Sequence, residues 1–466
     1  MLNNIIFYIK IKESSMQMVK IKKRGEFMEN IKNNNYSNNK DIYKIIQIFL
    51  FSSLGIIIFF MPIKINNQLE ILIYHFSYFA ENKLSIIIDI SLILFITLST
   101  LKRFFTRERG IINDLSLINR VFALTILVSI LLGREELFFI DDIFIVVMKD
   151  MILNLAILLP ISSIFMPLLL EYGLVEIIEA YTHKIMKKIF KVSGKVFLNF
   201  LVYVFVDNVC GAFITYKLYK DGKLREREAC ITILNFSILA LPLTSDLCNK
   251  AGINIFKFVA IETLVFIICN IIICRIYPLN KKKQSYFYKS GYKDVNCRKN
   301  KLNTAIKKYV SRGNKKSLLS YSKLYLNDAL YFLMELIPII VVIFFISNII
   351  YTCTPIMDLI NNFTYVILSI FNLPNTNFMS NIINLSFVNS ILGIKLLSSD
   401  TYYITKLILS LIISLQGISL SFLIPFIKKS VIPFNLREIM LVLIERIIII
   451  MTVCFIGYNF YLGYIL

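Results

Sequence analysis

Two polar residues at the centre of an apolar segment give the first indication of chemistry. Asp207 and Asn208 lie within residues 197–216, which are otherwise hydrophobic enough to enter a membrane. An ionisable side chain is costly there and by default indicates the path of a solute or ion. We therefore predict that Asp207 and Asn208 bind a substrate and that Asp207 also takes part in ion coupling. The alternative is that Asp207 only caps a half-helix.

The charges around this segment indicate how it is positioned. Lysine and arginine clusters flank both ends, at residues 184–195 and 217–227. Since such clusters remain on the cytoplasmic side, a single crossing would place one of them on the wrong side. A re-entrant hairpin over 195–219 keeps both on one side, and non-helical backbone at membrane depth is tolerated where it lines a cavity.

The predicted span that follows, 229–248, carries further polar side chains. We assign substrate-binding roles to Thr232 and Asn235, and we expect Pro242 to unwind the helix and expose carbonyl groups. Polar packing between helices is an equally good interpretation of these residues.

A second interrupted segment, 376–398, repeats this arrangement. We predict another re-entrant hairpin with Asn389 at its tip, followed by a span over 402–427 that contains Gln416. Asn389 and Gln416 are assigned to substrate binding. A plain turn is the alternative for Asn389, and helix packing is the alternative for Gln416.

Other ionisable residues also lie in predicted spans. Glu335 is assigned to ion coupling with H⁺ or Na⁺, because a buried glutamate can carry a proton. Glu262 and Glu445 are further candidates for this role. The alternative is an intramembrane ion pair, for example between Arg446 and Glu335, and this is the interpretation we favour for Arg446.

Composition excludes several classes of function. Hydrophobic residues make up 57% of the chain, and most of its net charge of +21 lies in residues 1–44 and 278–327. These are loops next to apolar segments, which is typical of cytoplasmic loops near anionic lipid headgroups. A nucleic-acid partner is therefore not expected.

Cofactors and catalysis are not expected either. The chain has two histidines, and its eight cysteines form no CxxC pair. Cys210 beside Asp207 is interpreted as packing rather than as a metal ligand. No metal site, cofactor or enzymatic residue set is predicted.

Spans of about 20 apolar residues divide the chain. We predict a basic, disordered cytoplasmic tail at 1–44, N-terminal transmembrane helices at 45–140, one repeat at 143–277, a basic cytoplasmic loop at 278–327 and a second repeat at 328–463. Segment 171–191 has an amphipathic pattern and is expected to lie along the membrane surface.

The two repeats are predicted to have opposite orientation. Asn208 precedes Asn235 by 27 residues, and Asn389 precedes Gln416 by the same 27. Inverted repeats of this kind place a binding site near the bilayer midplane. The prediction is an all-α polytopic membrane protein with about nine transmembrane helices and two re-entrant hairpins in two inverted repeats.

The residues after Asp207 carry a family resemblance. The segment TYKLYKDGKLREREA, which begins at Thr215, together with Phe236 and Ser237, resembles the YjiH-like membrane proteins with a nucleoside-recognition (gate) domain. A second, less specific match runs from Gln416 to Arg446. The chain departs from the family pattern with Asn389 and Gly393 where an aspartate and a proline are expected, and with Phe422 in place of an acidic residue.

The resemblance implies a multi-pass protein of the bacterial inner membrane, related at the domain level to concentrative nucleoside transporters, ferrous-iron permeases and spore-maturation proteins. We expect an inner-membrane secondary transporter with a cytoplasmic N-terminus that moves a small polar, nucleoside-like solute. Membrane lipids are expected partners, and a homo-oligomer is left open. The alternative is a membrane scaffold or regulatory protein that uses the gate fold without transport.

Overall fold

The fold was obtained as a computed structural model of the chain. It describes residues 38–65, 68–105, 111–131, 134, 140–288, 301–311, 316–370, 375–397, 402–417 and 419–462. Within these residues the protein is almost entirely helical, which confirms the all-α class. Most of the predicted tail, 1–37, lies outside them. The chain divides into two compact units between Phe49 and Leu50, and every contact discussed below belongs to the second unit.

A β-hairpin that the sequence analysis missed joins the first two described helices. Helix α1 ends at Phe60 and Pro62 opens the first strand, as expected of a residue that cannot continue a helix. The two strands pair antiparallel, with Pro62 opposite Ile71. The elements here are α1 (Asn38–Phe60), β1 (Pro62–Ile65), β2 (Gln68–Ile71), α2 (Leu72–Phe105) and α3 (Ile111–Leu131).

The next part of the chain contains two interruptions in its helices. One lies at Val206 and Asp207, and the other at residues 236–240, so the predicted span 229–248 consists of two helices. The elements are α4 (Asp142–Leu170), α5 (Leu174–Ile189), α6 (Val196–Phe205), α7 (Asn208–Lys220), α8 (Glu226–Asn235), α9 (Leu241–Ala251) and α10 (Ile255–Ile273).

The predicted basic loop 278–327 contains a helix. Helix α11 (Lys301–Val310) packs on α5, whose Glu179 is fully buried. The Glu179 carboxylate lies 3.6 Å from the Lys195 ammonium and 3.5 Å from that of Lys308. Part of the polar side of α5 is therefore covered by protein rather than facing the membrane surface as its pattern had suggested.

The last part of the chain has the same order of elements. Its helices are interrupted at Asn389 and again between two helices that end at Leu415 and begin at Leu420. The elements are α12 (Leu318–Cys353), α13 (Ile356–Ser369), α14 (Thr376–Val388), α15 (Ser390–Leu396), α16 (Tyr403–Leu415), α17 (Leu420–Lys429) and α18 (Leu436–Leu462).

Length and hydropathy identify membrane-spanning candidates among the described residues. Five stretches are long and apolar enough to cross a membrane: Asp142–Leu170, Ile255–Ile273, Leu318–Cys353, Tyr403–Ile427 and Leu436–Gly457. Helices α4 and α12 pack along each other at the centre of a continuous apolar core. The protein is thus of the all-α membrane type.

Candidate functional site

The first hairpin turns where the sequence analysis placed its tip. Helix α6 ends at Phe205, and Asp207 is the N-cap of α7, with its Oδ1 atom accepting the Val209 N–H at 2.6 Å. The carbonyl of Val206 accepts a 2.5 Å hydrogen bond from the Tyr74 hydroxyl of α2. Asp207 therefore does cap a half-helix, and the tip is also held by a helix from the N-terminal part of the chain.

A glycine allows the two arms of this hairpin to pack closely. A Cβ atom at Gly211 would lie 2.7 Å from ring carbons of Tyr203, which is shorter than any tolerable contact. Helices α6 and α7 can approach each other only because this position has no side chain.

The second hairpin turns on one residue. Asn389 ends α14 and is the N-cap of α15, where its Oδ1 atom accepts the Ile391 N–H at 2.8 Å. Its amide nitrogen lies 3.4 Å from the Ser421 hydroxyl oxygen and 3.0 Å from the sulfur of Met151. A Cβ atom at Gly393 would lie 2.9 Å from that of Ser386, so this glycine serves close packing as Gly211 does.

The two interrupted helices touch each other at their breaks. The Leu239 N–H, in the break between α8 and α9, donates a 2.9 Å hydrogen bond to the carbonyl of Ser414 at the end of α16. Gly417, in the break between α16 and α17, would place a Cβ atom 2.5 Å from the Ile238 carbonyl carbon. The backbones of the two breaks are therefore in direct contact, with no side chain between them.

The tip of the first hairpin reaches this contact. The Asn208 amide nitrogen donates a 2.6 Å hydrogen bond to the carbonyl of Gly417. Three discontinuities therefore meet at one place: the hairpin tip and the two helix breaks. Pro242 lies in the first turn of α9, where its missing N–H costs nothing, rather than inside a continuous helix.

An arginine from α18 satisfies the end of α8. Arg446 is 2% exposed, and its guanidinium donates to three backbone carbonyls and one hydroxyl. The acceptors are the carbonyls of Leu234, Asn235 (3.3 Å) and Ser237 (3.0 Å) and the Ser237 hydroxyl (3.3 Å). A cation at a helix C-terminus is stabilised by the helix dipole. Here the guanidinium supplies hydrogen-bond donors to carbonyls that have no helical partner after α8 ends.

Two amide side chains beside the contact lack hydrogen-bond partners. Asn235 is fully buried and Gln416 is 2% exposed. Neither the oxygen nor the nitrogen of either amide has a partner among the described residues. Buried polar groups are normally hydrogen-bonded, so each such group requires an explanation. Because both amides lie at the helix breaks, their oxygen and nitrogen atoms are available to hydrogen-bond a ligand.

Two other predicted residues are engaged elsewhere. The Thr232 hydroxyl donates to the Glu228 carbonyl of its own helix at 2.6 Å. Glu335 forms ion pairs with Arg120, at 2.6 Å, and with Lys429. The suggested pairing of Arg446 with Glu335 is wrong, because the guanidinium is occupied by the carbonyl groups of the first break.

Sequence reasoning missed several residues that build the site. Gly417, Ser414 and Tyr74 were not singled out, and Arg446 was assigned the wrong partner. A glycine directly after Gln416 in an apolar run was the available signal, because glycine inside a helix is unfavourable and often marks a break. The hydrogen bond from Tyr74 to Val206 links residues far apart in the chain and leaves no local signal.

No cluster of three or more metal-binding side chains is present among the described residues. No protein-family model matches the chain, and no solved structure matches it. The chain is similar to an uncharacterized protein of Alkalihalophilus pseudofirmus, with 24% identity over 299 residues. The match covers 63% of this chain and 64% of that protein, so the chain spans less than two thirds of its relative.

Proposed function

We propose that this chain is a secondary transporter of the bacterial inner membrane that moves a small polar solute coupled to an ion gradient. The observation that carries the proposal is the meeting of the hairpin tip with two helix breaks. Binding sites of this kind use discontinuous helices, whose free backbone groups and dipole ends bind polar solutes at membrane depth. The amides of Asn235 and Gln416, which have no hydrogen-bond partner in the described part of the chain, lie beside this meeting point.

The order of elements supports two gate-type repeats. Helices α4–α10 and α12–α18 both run as a proline-containing helix, a short helix, a hairpin, an interrupted helix and a final helix. In each hairpin an N-cap residue is followed four positions later by the close-packing glycine: Asp207 with Gly211, and Asn389 with Gly393. This agreement supports the resemblance to the YjiH-like gate-domain proteins.

The two hairpins differ in what they offer to a solute. The Asn389 amide is used within the protein, whereas the Oδ1 atom of Asn208 has no partner among the described residues. We therefore assign solute binding chiefly to Asn208, Asn235 and Gln416. Amides both donate and accept hydrogen bonds, which suits a nucleobase edge or another ligand with mixed donors and acceptors.

Transport is tested by uptake into proteoliposomes containing the full chain. The probes are labelled purine and pyrimidine nucleosides, sugars and amino acids, with and without imposed proton and sodium gradients. The expected result is protein-dependent accumulation of at least one probe. Absence of flux for every probe, from protein shown to be folded, would contradict the proposal and favour a membrane scaffold.

The Gln416→Leu variant separates a binding role from a structural role. The Gln416 amide has no partner among the described residues, so an apolar replacement should leave thermal stability unchanged or raised. Uptake should fall at least tenfold. Asn389→Leu is the matched comparison, since it removes an N-cap and should lower stability. Normal uptake in Gln416→Leu would remove this residue from the site.

A further inference from the structure

A buried carboxyl group lies directly behind the contact between the two breaks. Glu262, near the middle of α10, is 3% exposed, with the buried Phe258 and Phe266 one turn away on either side. Its Oε1 atom accepts a hydrogen bond from the Ser414 hydroxyl of α16. The same Ser414 accepts the Leu239 N–H through its carbonyl, so one residue joins the carboxyl group to the first break.

The described residues around Glu262 supply no counter-charge to its carboxylate. Helices α9, α16 and α18 pack against α10. Among their described residues, the thiol of Cys248 is near enough to interact electrostatically with Glu262, and no lysine or arginine nitrogen lies within 4 Å of its carboxylate. The other charged residues of these three helices are Asp246 and Lys250 on α9, Lys406 on α16, and Arg437, Glu438, Glu445 and Arg446 on α18.

Arg446 of α18 does not neutralise the Glu262 carboxylate. All the hydrogen bonds that Arg446 makes go to carbonyl and hydroxyl oxygens of residues 234–237. Burying an ionised carboxylate without an oppositely charged partner is strongly unfavourable. Protonation of Glu262 removes that cost, because the neutral acid carries no charge. The Ser414 hydroxyl can hydrogen-bond to Glu262 in both states, as a donor to the carboxylate or as an acceptor from the acid.

We propose that Glu262 is the proton-binding group of this protein and that Ser414 communicates its charge to the helix breaks. In the protonated state the Ser414 hydroxyl accepts from the acid, and its own hydrogen is free for another acceptor. In the ionised state, after the proton has passed to water, the hydroxyl must donate to Glu262. The coupling role rests on the proposed transport function, whereas the protonation of the buried acid does not.

The protonation is tested by infrared difference spectroscopy of the purified full chain in lipid during a pH titration. The native protein should show the C=O stretch of a buried carboxylic acid, and Glu262→Gln should remove that band. Glu335→Gln should retain it, since Glu335 already pairs with Arg120 and Lys429. Ser414→Ala should shift the band, because the hydrogen bond is lost.

The infrared measurements test the protonation of Glu262 independently of transport. An unchanged band in Glu262→Gln, or no buried-acid band in the native protein, would overturn it. If Glu262→Gln does not fold, the shift in Ser414→Ala decides instead. Should a probe solute be transported with no dependence on a proton gradient, the coupling role fails while transport stands. If no probe is transported, the band still decides whether Glu262 binds the proton.

Discussion

The Asn208 amide lies 2.6 Å from the carbonyl oxygen of Gly417, although the two residues are 209 positions apart. The bond joins the tip of the first hairpin to the break of the second interrupted helix. The Gly417 carbonyl belongs to the backbone just after α16, and so it lacks the partner that a continuous helix would supply. The Asn208 side-chain amide thus takes the place of the backbone N–H that would bond the Gly417 carbonyl in a continuous helix. This hydrogen bond connects the two halves of the chain.

Replacing Asn208 by alanine should loosen this connection. The Gly417 carbonyl would lose its donor in a partly buried position, so we expect the free energy of unfolding to fall by about 1–3 kcal/mol. Thermal unfolding followed by circular dichroism in detergent measures the change. Asn362→Ala, the same substitution on an exposed position of α13, is the control and should change stability little. Equal melting temperatures for the two variants would show that the bond contributes nothing.

Gly417 should tolerate no side chain. In Gly417→Ala the new Cβ atom would lie 2.5 Å from the Ile238 carbonyl carbon and 2.8 Å from the Leu239 nitrogen. These are backbone atoms, so the clash cannot be relieved by a rotamer change, and we expect a loss of roughly 1–3 kcal/mol.

Gly457→Ala is the matched control for this position. It lies in α18, and a Cβ atom there meets nothing within 4 Å. Alanine should stabilise that helix by up to about 1 kcal/mol. Melting temperatures of the two variants that move in the same direction would refute the close approach of the two breaks.

The sequence predicted more of the discontinuities than of their contacts. Polar residues within apolar runs correctly indicated the interruptions at Asp207 and Asn389, because a charged or amide side chain inside a lipid-facing helix is costly. The break after Leu415 was not predicted, since 402–427 was expected to be a single span. The helix in the basic loop and the β-hairpin after α1 were missed. Both are short, and both are stabilised by packing against other elements rather than by their own pattern.

The partners of buried charges could not be predicted from sequence. The pairing of Arg446 with Glu335 was plausible because opposite charges in a membrane usually pair. The structure instead places Arg446 on free backbone carbonyls, a type of acceptor that composition does not reveal. Such carbonyls exist only because α8 ends at Asn235, so the partner follows from the break rather than from side-chain chemistry.

Arg446→Met should be severely destabilising. The substitution keeps the apolar stem but removes the guanidinium donors from three buried carbonyls, of which that of Leu234 keeps the Ser237 hydroxyl as a donor at 3.5 Å. Each acceptor left unsatisfied costs about 1–3 kcal/mol. Arg446→Lys should recover only part of the loss, since an ammonium lacks the fork of the guanidinium. The measurement is the yield of monodisperse protein together with its melting temperature.

Arg437→Met provides the comparison for Arg446. Arg437 is an exposed residue in the first turn of the same helix, so its loss should shift stability by less than about 0.5 kcal/mol. If Arg446→Met were as stable as Arg437→Met, the role of Arg446 in holding the first break would be rejected.

Tyr74→Phe should weaken the first hairpin from outside the two repeats. The hydroxyl of Tyr74 donates to the Val206 carbonyl at the hairpin tip, and phenylalanine removes only that donor. We expect a loss of about 1–3 kcal/mol because the carbonyl is left without this partner. Tyr78→Phe, one turn further along α2 and 38% exposed, is the control. Identical unfolding curves would indicate that the tip does not depend on the N-terminal helices.

The hairpin interpretation makes a prediction about sidedness. Lys191 precedes α6 and Lys220 ends α7, so a re-entrant hairpin places both on the cytoplasmic side. Leu69, 66% exposed in β2, should lie on the opposite side, because the span predicted over α1 separates it from the N-terminus that the sequence analysis places in the cytoplasm. Single cysteines at these three positions, in a background lacking the exposed Cys353, can be labelled in intact cells with a membrane-impermeant maleimide.

The labelling pattern distinguishes a hairpin from a single span. We expect Leu69→Cys to react from outside, and Lys191→Cys and Lys220→Cys to react only after the cells are permeabilised. A continuous helix over 197–216 would place the two lysine positions on opposite sides of the membrane. Outside labelling at just one of them would therefore eliminate the hairpin. Without the hairpin the two repeats could not have opposite orientation, since the sidedness of every following helix depends on it.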